Sequence, residues 1–248
     1  MLLPIIDIQN LTKAYDKSEV LAVKSINLSI LKGEKFGIFG PNGAGKTTFI
    51  SMMCGILSQT SGAVNYHLND EVLIAKAALK YIGYVPQDFA FYPELTARQN
   101  LSYFGKMYGI SSQNLTKKID YLLNKLELAH VQDKKLATYS GGMKRRINLA
   151  IGILNDPKIL FLDEPTVGVD VQSKHAIFQL LNDLSAAGTT IIYTSHHLKE
   201  AEDFCDRMAL IDKGEIIGLG TLGELTKHHH VDDLEELLIE LTGKSLRD

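Results

Sequence analysis

The sequence predicts an α/β fold built on a mostly parallel sheet covered on both faces, with a helical segment inserted into it. Three observations carry this expectation. The runs "KILFLDEP" and "GTTIIYTSH" are almost continuously apolar and end in polar residues, as parallel strands buried on both faces do. Between them "SKHAIFQLLNDLSAAG" has the spacing of an amphipathic helix and stops at a capping Gly188. Upstream, "KFGIFG", a glycine-rich loop and "KTTFISMMCGIL" read as strand, loop and helix, with Phe49, Ile50, Met53 and Ile56 at helical spacing.

The remaining elements follow along the chain. "IIDIQNL" reads as a short strand, and "LAVKSINLSI" as another because Ile26, Leu28 and Ile30 alternate. "KGE", Lys32 to Glu34, is the turn before the next strand. From about Asp88 to Asp156 the character changes to helical stretches, "LTARQNLSYFGKMYG" and "KKIDYLLNKLEL", with few strand-like runs. After Leu219 a tail ends in "VDDLEELLIELTGKSL", where Leu234, Leu237, Leu238 and Leu241 form one stripe expected to pack on the body. In such a sheet the functional loops stand at the C-terminal ends of the strands.

Composition narrows the function classes. The 248 residues carry 26 basic and 29 acidic side chains, a net charge of −3, which lacks the electrostatic pull of non-specific nucleic-acid binders. The two cysteines, Cys54 and Cys205, have neither pairing pattern nor metal-ligand spacing, so both are expected to be small buried residues in a reducing cytosol. No apolar run approaches the roughly 20 residues that cross a bilayer, and the N-terminal "MLLPIIDIQN" lacks a basic region before its apolar run, so a soluble chain is expected. His228 to His230 point in different directions on a helix and are not expected to hold a metal alone.

The chemistry concentrates in a few motifs. "GPNGAGKT" fits G-x-x-x-x-G-K-[ST] between a strand and a helix. There the run Gly40, Pro41, Asn42, Gly43, Ala44 and Gly45 would wrap phosphate oxygens, its glycines letting the backbone N–H groups other than that of Pro41, which has none, face the negative charge. Lys46 would neutralise the β- and γ-phosphates, Thr47 would place its hydroxyl on Mg²⁺, and Thr48 would lie beside it on the phosphates. "ILFLDEP" delivers Asp163, which can hold the Mg²⁺ shell, and Glu164, which can polarise an attacking water. "TTIIYTSHH" carries His196 to a strand end, where a neutral imidazole could contact the γ-phosphate. Gln87 in "IGYVPQD" can reach Mg²⁺ or water from a loop that can move. Tyr15 suits stacking on adenine, and suits a core or edge-strand position equally. "YSGGMKRR" adds a second stretch of the phosphate-binding kind at Ser140, Gly141 and Gly142, or else a helix capped by Ser140 with glycines for close packing.

With these residues in this order, the chain resembles the nucleotide-binding subunits of ATP-binding cassette transporters over essentially its whole length. The resemblance rests on Tyr15, a Walker A motif at Gly40 to Thr47, Gln87, a signature at Ser140 to Gly142, a Walker B motif ending at Asp163, then Glu164, Asp170 and His196. It implies a P-loop NTPase core with an antiparallel β edge subdomain and an α-helical subdomain. One cassette domain would span 1–248, with the core at 1–87 and 157–218, the helical subdomain at 88–156 and a helical tail at 219–248. It implies ATP and Mg²⁺ as ligands, with Asp170 among the nucleotide-binding residues. It also implies a head-to-tail dimer with itself or a homologous subunit, in which each signature covers the γ-phosphate on the other chain's Walker A. Separately encoded transmembrane permease subunits would dock near Gln87 and "FAFYPELT", leaving the chain cytoplasmic and peripheral on the inner face of the membrane.

"YSGGMKRR", "TVGVD" and "YTSHHLKEAE" resemble the drug- and antibiotic-resistance exporter branch. Tyr139 and Met143 depart from the commoner Leu and Gln of the signature, while Ser140, Gly141 and Gly142 are intact. The Val-Gly-Val-Asp run departs from the commoner Ala-Leu-Asp ending and keeps Asp170. Two alternatives are a cassette ATPase acting on nucleic acid or ribosomes and an importer ATPase. The first would need a coiled coil between Gln87 and Ser140 or a second cassette, and the second often adds a regulatory C-terminal domain. No nucleic-acid partner is expected.

Overall fold

A computed structural model describes residues 4–15, 20–195 and 197–243. In chain order its elements are β1 (Pro4–Ala14), β2 (Leu21–Leu31), β3 (Lys35–Phe39), α1 (Lys46–Met53), β4 (Ser61–Leu68), β5 (Glu71–Ile74) and α2 (Ala75–Ala78). There follow β6 (Ile82–Val85), α3 (Ala97–Met107), α4 (Ser112–Lys125), α5 (Gly141–Gly152), β7 (Ile159–Asp163) and α6 (Val171–Ala186). The chain closes with β8 (Thr190–Thr194), α7 (Leu198–Phe204), β9 (Arg207–Asp212), β10 (Glu215–Gly220), α8 (Leu222–His229) and α9 (Leu234–Thr242). They form two compact units, Met1–Leu79 with Thr190–Asp248, and Lys80–Thr189. Both boundaries suggested by composition, after 87 and after 156, fall inside the second unit.

In the first unit β3 runs parallel to β8 and β9, and β10 closes on β9 antiparallel. Phe36, Ile38 and Phe39 of β3 and every residue of β8 are buried, as the apolar runs require. A separate antiparallel sheet has the order β2-β1-β4-β5. Its burial alternates, with Val64, Tyr66 and Leu68 inward on β4.

Two hairpins in this unit escape the sequence reading. β4 and β5 are joined by Asn69 and Asp70, both at positive φ (52° and 64°), and β9 and β10 by Lys213 and Gly214 (47° and 82°). Two central residues at positive φ make the tight turn whose twist matches antiparallel strands. The helix after the glycine loop is also shorter than expected. Gly55, at φ 69°, ends it after Cys54, and Ile56 lies outside with 62% of its surface exposed. Cys54 is buried, whereas Cys205 is partly exposed.

The tail packs through three of the four leucines of its stripe, while Leu241 is only half-buried. Leu234, Leu237 and Leu238 are buried, and the Leu234 N–H donates to Glu202 Oε1 of α7 at 2.8 Å. Of the three tail histidines, His229 places Nδ1 3.1 Å from Glu240 Oε1.

The second unit pairs β6 with β7 in parallel, Ile82 opposite Ile159 through Val85 opposite Leu162. Its helices include α3, opened by a capping box between Thr96 and Gln99, and α4, which buries Leu115, Ile119, Leu122 and Leu123 along one face. α6 closes into Gly188 at φ 93°, the glycine stop expected from the sequence. Among the described residues no helix is long and apolar enough to cross a membrane.

Replacing Leu237 with Ala removes a fully buried side chain from α9 and should cost about 3 kcal/mol. Chemical denaturation of the purified variant reads the loss, and an unchanged midpoint would show the tail to be undocked.

Candidate active site

The phosphate loop lies wholly in the first unit, between β3 and α1. Two glycines are demanded by neighbours: a Cβ on Gly40 would stand 1.9 Å from the Ile211 carbonyl oxygen, and one on Gly45 2.4 Å from that of Ala22. Gly43, at φ 78°, meets nothing within 4 Å of its would-be Cβ, so only its backbone conformation demands glycine. Gly45 is the N-cap of α1, in the left-handed region and without a side-chain cap. No acidic residue occupies the first turn of that helix. The α1 N-terminus therefore presents N–H groups and the positive end of the helix dipole without a competing carboxylate, which suits an anion.

Lys46 folds back over this loop. Its Nζ donates to the carbonyl oxygens of Gly40 at 2.8 Å and Pro41 at 3.1 Å. The Tyr15 hydroxyl and Thr48 Oγ1 share a hydrogen bond of 3.0 Å, and the ring is 49% exposed with Lys13 Nζ 5.6 Å from its centroid. Tyr15 is thus an exposed aromatic beside the first turn of α1, which leaves a face for stacking and removes the core alternative. His196 follows β8 and lies outside the described residues.

In the second unit β7 ends at Asp163, and both Asp163 and Glu164 are buried. Glu164 has φ 52°, a left-handed conformation that costs a non-glycine residue about 1 kcal/mol or more. Gln87 follows β6 at the start of the segment leading to α3. Ser140 caps α5, its Oγ accepting from the Met143 N–H at 3.3 Å. Asp170 caps α6, its carboxylate accepting from the Ser173 N–H at 2.9 Å and from Ser173 Oγ at 2.8 Å. These bonds, the backbone one foremost, hold the Asp170 carboxyl below the usual carboxylate range.

Gly142 and Gly141 differ in what they are for. A Cβ on Gly142 would come within 2.7 Å of both Asp170 Oδ2 and Ser173 Oγ, so its bareness lets the starts of α5 and α6 meet. A Cβ on Gly141 would meet only the Gly168 carbonyl oxygen, at 3.7 Å, an ordinary contact. Packing within the chain accounts for Gly142 and leaves Gly141 unexplained.

Sequence reasoning missed Arg145 and Asn148. Arg145 Nη1 donates to the Gln87 carbonyl at 2.6 Å, and its guanidinium lies 5.0 Å from the Phe89 ring centroid. Asn148 donates to the Pro86 carbonyl at 3.0 Å and accepts from the Ala90 N–H at 3.0 Å. Their signal was their separation of one helical turn, with Asn148 set into the apolar "INLAIG".

A buried parallel strand running through a glycine loop into an uncapped helix defines a nucleotide-binding protein of the phosphate-loop class. The family model described as ABC transporter matches residues 23–167. The linearmycin resistance ATP-binding protein LnrL of Bacillus subtilis (strain 168) is 43% identical over 234 residues, 93% of this chain and 74% of the relative. A Nod factor export ATP-binding protein I of Burkholderia orbicola (strain AU 1054) is 39% identical over 215 residues, 87% of this chain and 70% of the relative. Among solved structures, an ATP-binding subunit of an ABC transporter superposes with a TM-score of 0.86 at 27% identity, covering 96% of this chain and 99% of the other. An ATP-binding cassette solved as a dimer in a post-hydrolysis state, with ADP and Pi, superposes with a TM-score of 0.78 at 28% identity, covering 88% of this chain and 98% of the other. The chain belongs to the ABC transporter family, as an ATP-binding and ATP-hydrolysing subunit.

The Asp170 cap gives a pH prediction. A carboxyl depressed in the folded chain contributes stability above its unfolded pKa of about 3.9, and that stability is lost as pH falls through the folded value. Ser173→Ala removes one donor, so Asp170 should titrate closer to its ordinary value. A carboxyl-detected NMR titration reads this, and an unmoved midpoint would show that the Ser173 hydroxyl does not hold the charge.

Proposed function

We propose that the chain powers export by hydrolysing ATP·Mg²⁺ as a dimer that drives separately encoded membrane subunits from the cytoplasmic side. The observation that carries the nucleotide chemistry is the loop from Gly40 to Thr48, with its neighbour-enforced glycines, uncapped helix and folded-over Lys46. Gly40, Pro41, Asn42, Gly43, Ala44 and Gly45 hold the phosphates through their backbone, Lys46 supplies the charge, and Thr48 and the exposed face of Tyr15 complete the binding. Thr47, Asp163 and the Gln87 side chain would hold Mg²⁺, which would supply charge neutralisation on the transferred phosphate. A buried carboxylate at a strand end suits that hard cation. Glu164 takes the proton of the attacking water, and His196 contacts the γ-phosphate.

Export is supported by the relatives, one named for linearmycin resistance and another for Nod factor export. The dimer is supported by Gly141, whose bareness no contact among the described residues requires, and by a structural neighbour solved as a dimer. In it Ser140, Gly141 and Gly142 cover the γ-phosphate held by the other chain. Residues 88–156 act as the helical subdomain that meets the membrane partner. Phe89, Tyr92, Tyr103 and Tyr108 are exposed there, with Phe89 stacked on Phe91 and Tyr92 edge-on to Tyr103.

Glu164→Gln should keep ATP affinity and lose turnover to below about one per cent, since the phosphate loop is untouched and one general base is worth about 10²- to 10⁴-fold. Near-normal turnover would show the base to be misassigned. The shared site has its own test, in which a Lys46→Ala chain is mixed with a Ser140→Arg chain in a Glu164→Gln background. Each is expected to stay monomeric alone with ATP. The mixture should dimerise on size-exclusion chromatography, because one of its two sites combines an intact Lys46 with an intact Ser140. A mixture as monomeric as its components would refute the shared site.

A further inference from the structure

Arg145 is a buried cation that the proposed chemistry does not use. Only 5% of the residue is exposed. Its near partners are backbone carbonyls: Gln87 at 2.6 Å and, more distantly, Pro86 at 3.5 Å. Phe89 covers the guanidinium, and Nε is buried without a hydrogen-bond partner. Burial pushes the Arg145 pKa down, while the carboxylates of Glu164, Asp88 and Asp163 pull it up. Interring a guanidinium without full pairing costs several kcal/mol. A purely structural link between α5 and the Gln87 segment would not need it, because Asn148, one turn along, already ties Pro86 and Ala90 to the same helix.

We propose that Arg145 is a positioning residue of hydrolysis: from the helix that Ser140 opens, it fixes the backbone of Gln87 and so aims the Gln87 side chain. The inference rests on the hydrolytic reading above. Movement of α5 is thereby transmitted to Gln87 through one charge-assisted hydrogen bond.

The test is a double-mutant cycle on the purified full chain, with Arg145→Met keeping the stem and losing charge and donors, Arg145→Lys keeping the charge, and Gln87→Ala removing the side chain to be aimed. Arg145→Met should lower kcat by about 10- to 100-fold, the range for residues that orient ligands of a reacting centre. KM for ATP should stay within about twofold, because Lys46 and its loop are untouched. Arg145→Lys should recover kcat to within about fivefold of the parent. Adding Arg145→Met to Gln87→Ala should slow turnover by less than about threefold further, since a residue acting through Gln87 has little left to position. If Arg145→Met does not fold, Arg145→Gln, which also loses the charge, reads the same cycle with the same expected loss. The proposal is overturned by wild-type kcat in Arg145→Met, by a loss that falls on KM, or by losses that multiply with Gln87→Ala. Failure of the hydrolytic reading looks different: the unaltered chain would show no ATPase, or Glu164→Gln would turn over normally.

Discussion

α1 starts from a glycine that supplies no side-chain cap, and the loop before it takes its shape from its neighbours in the first unit. A helix start ordinarily finds a capping side chain, as Ser140 caps α5, Asp170 α6 and Asp233 α9. At α1 the cap is glycine, and the loop's shape is imposed from outside. The Ala22 carbonyl of β2 abuts Gly45, the Ile211 carbonyl of β9 abuts Gly40, and the Gly214 N–H donates to the Ala44 carbonyl at 2.9 Å. Gly214 in turn accepts from the Lys24 N–H at 2.8 Å. The tight turn between β9 and β10 thus acts as a brace holding β2 and the phosphate loop together. Preorganisation of this kind spares the entropy of ordering the loop when the anion arrives.

The second unit differs in carrying buried charge and a strained backbone rather than an uncapped helix start. Asp163 and Glu164 are buried at the end of β7, and Glu164 holds a left-handed backbone. Arg145 and Arg146 are buried on α5, the latter donating to the Leu126 carbonyl at 2.7 Å. Each feature costs stability, and well-packed apolar residues would be cheaper. Such costs persist where geometry must be held for chemistry, and here they gather around the strand-end carboxylates and the Gln87 segment.

What the sequence disclosed follows from which physical signals are local. β3, β7 and β8 were legible because doubly covered strands are apolar throughout, and the phosphate loop because its glycines and Lys46 have fixed spacing. The tail stripe was legible for the same reason, as Leu234, Leu237 and Leu238 bear out. The β4–β5 hairpin was not. Its turn is Asn-Asp without a glycine, and Val72 and Ile74 on its short edge strand are exposed rather than alternating into a core. Ile56 misled because periodicity ran on past Gly55, whose positive φ ends the helix. Arg145 was hidden in a run of basic residues, and only the tertiary fold shows which of them turn inward.

The caps of α5 and α6 also bear on how a phosphate could be met. A serine hydroxyl has one donor and two lone pairs, so Ser140 can accept from the Met143 N–H and still donate outward. Capping and phosphate binding therefore do not compete at that residue. Asp170 is different, because its carboxylate is acceptor-only, takes two bonds from Ser173 and is held ionised, so direct contact with a phosphate would set like charges together. The missing side chain of Gly142 lets Asp170 stand against the start of α5. An aspartate at position 140 would cap the helix as well and repel the ligand. Serine at 140 leaves a donor at the start of α5, whereas aspartate at 170 spends its acceptors on the start of α6.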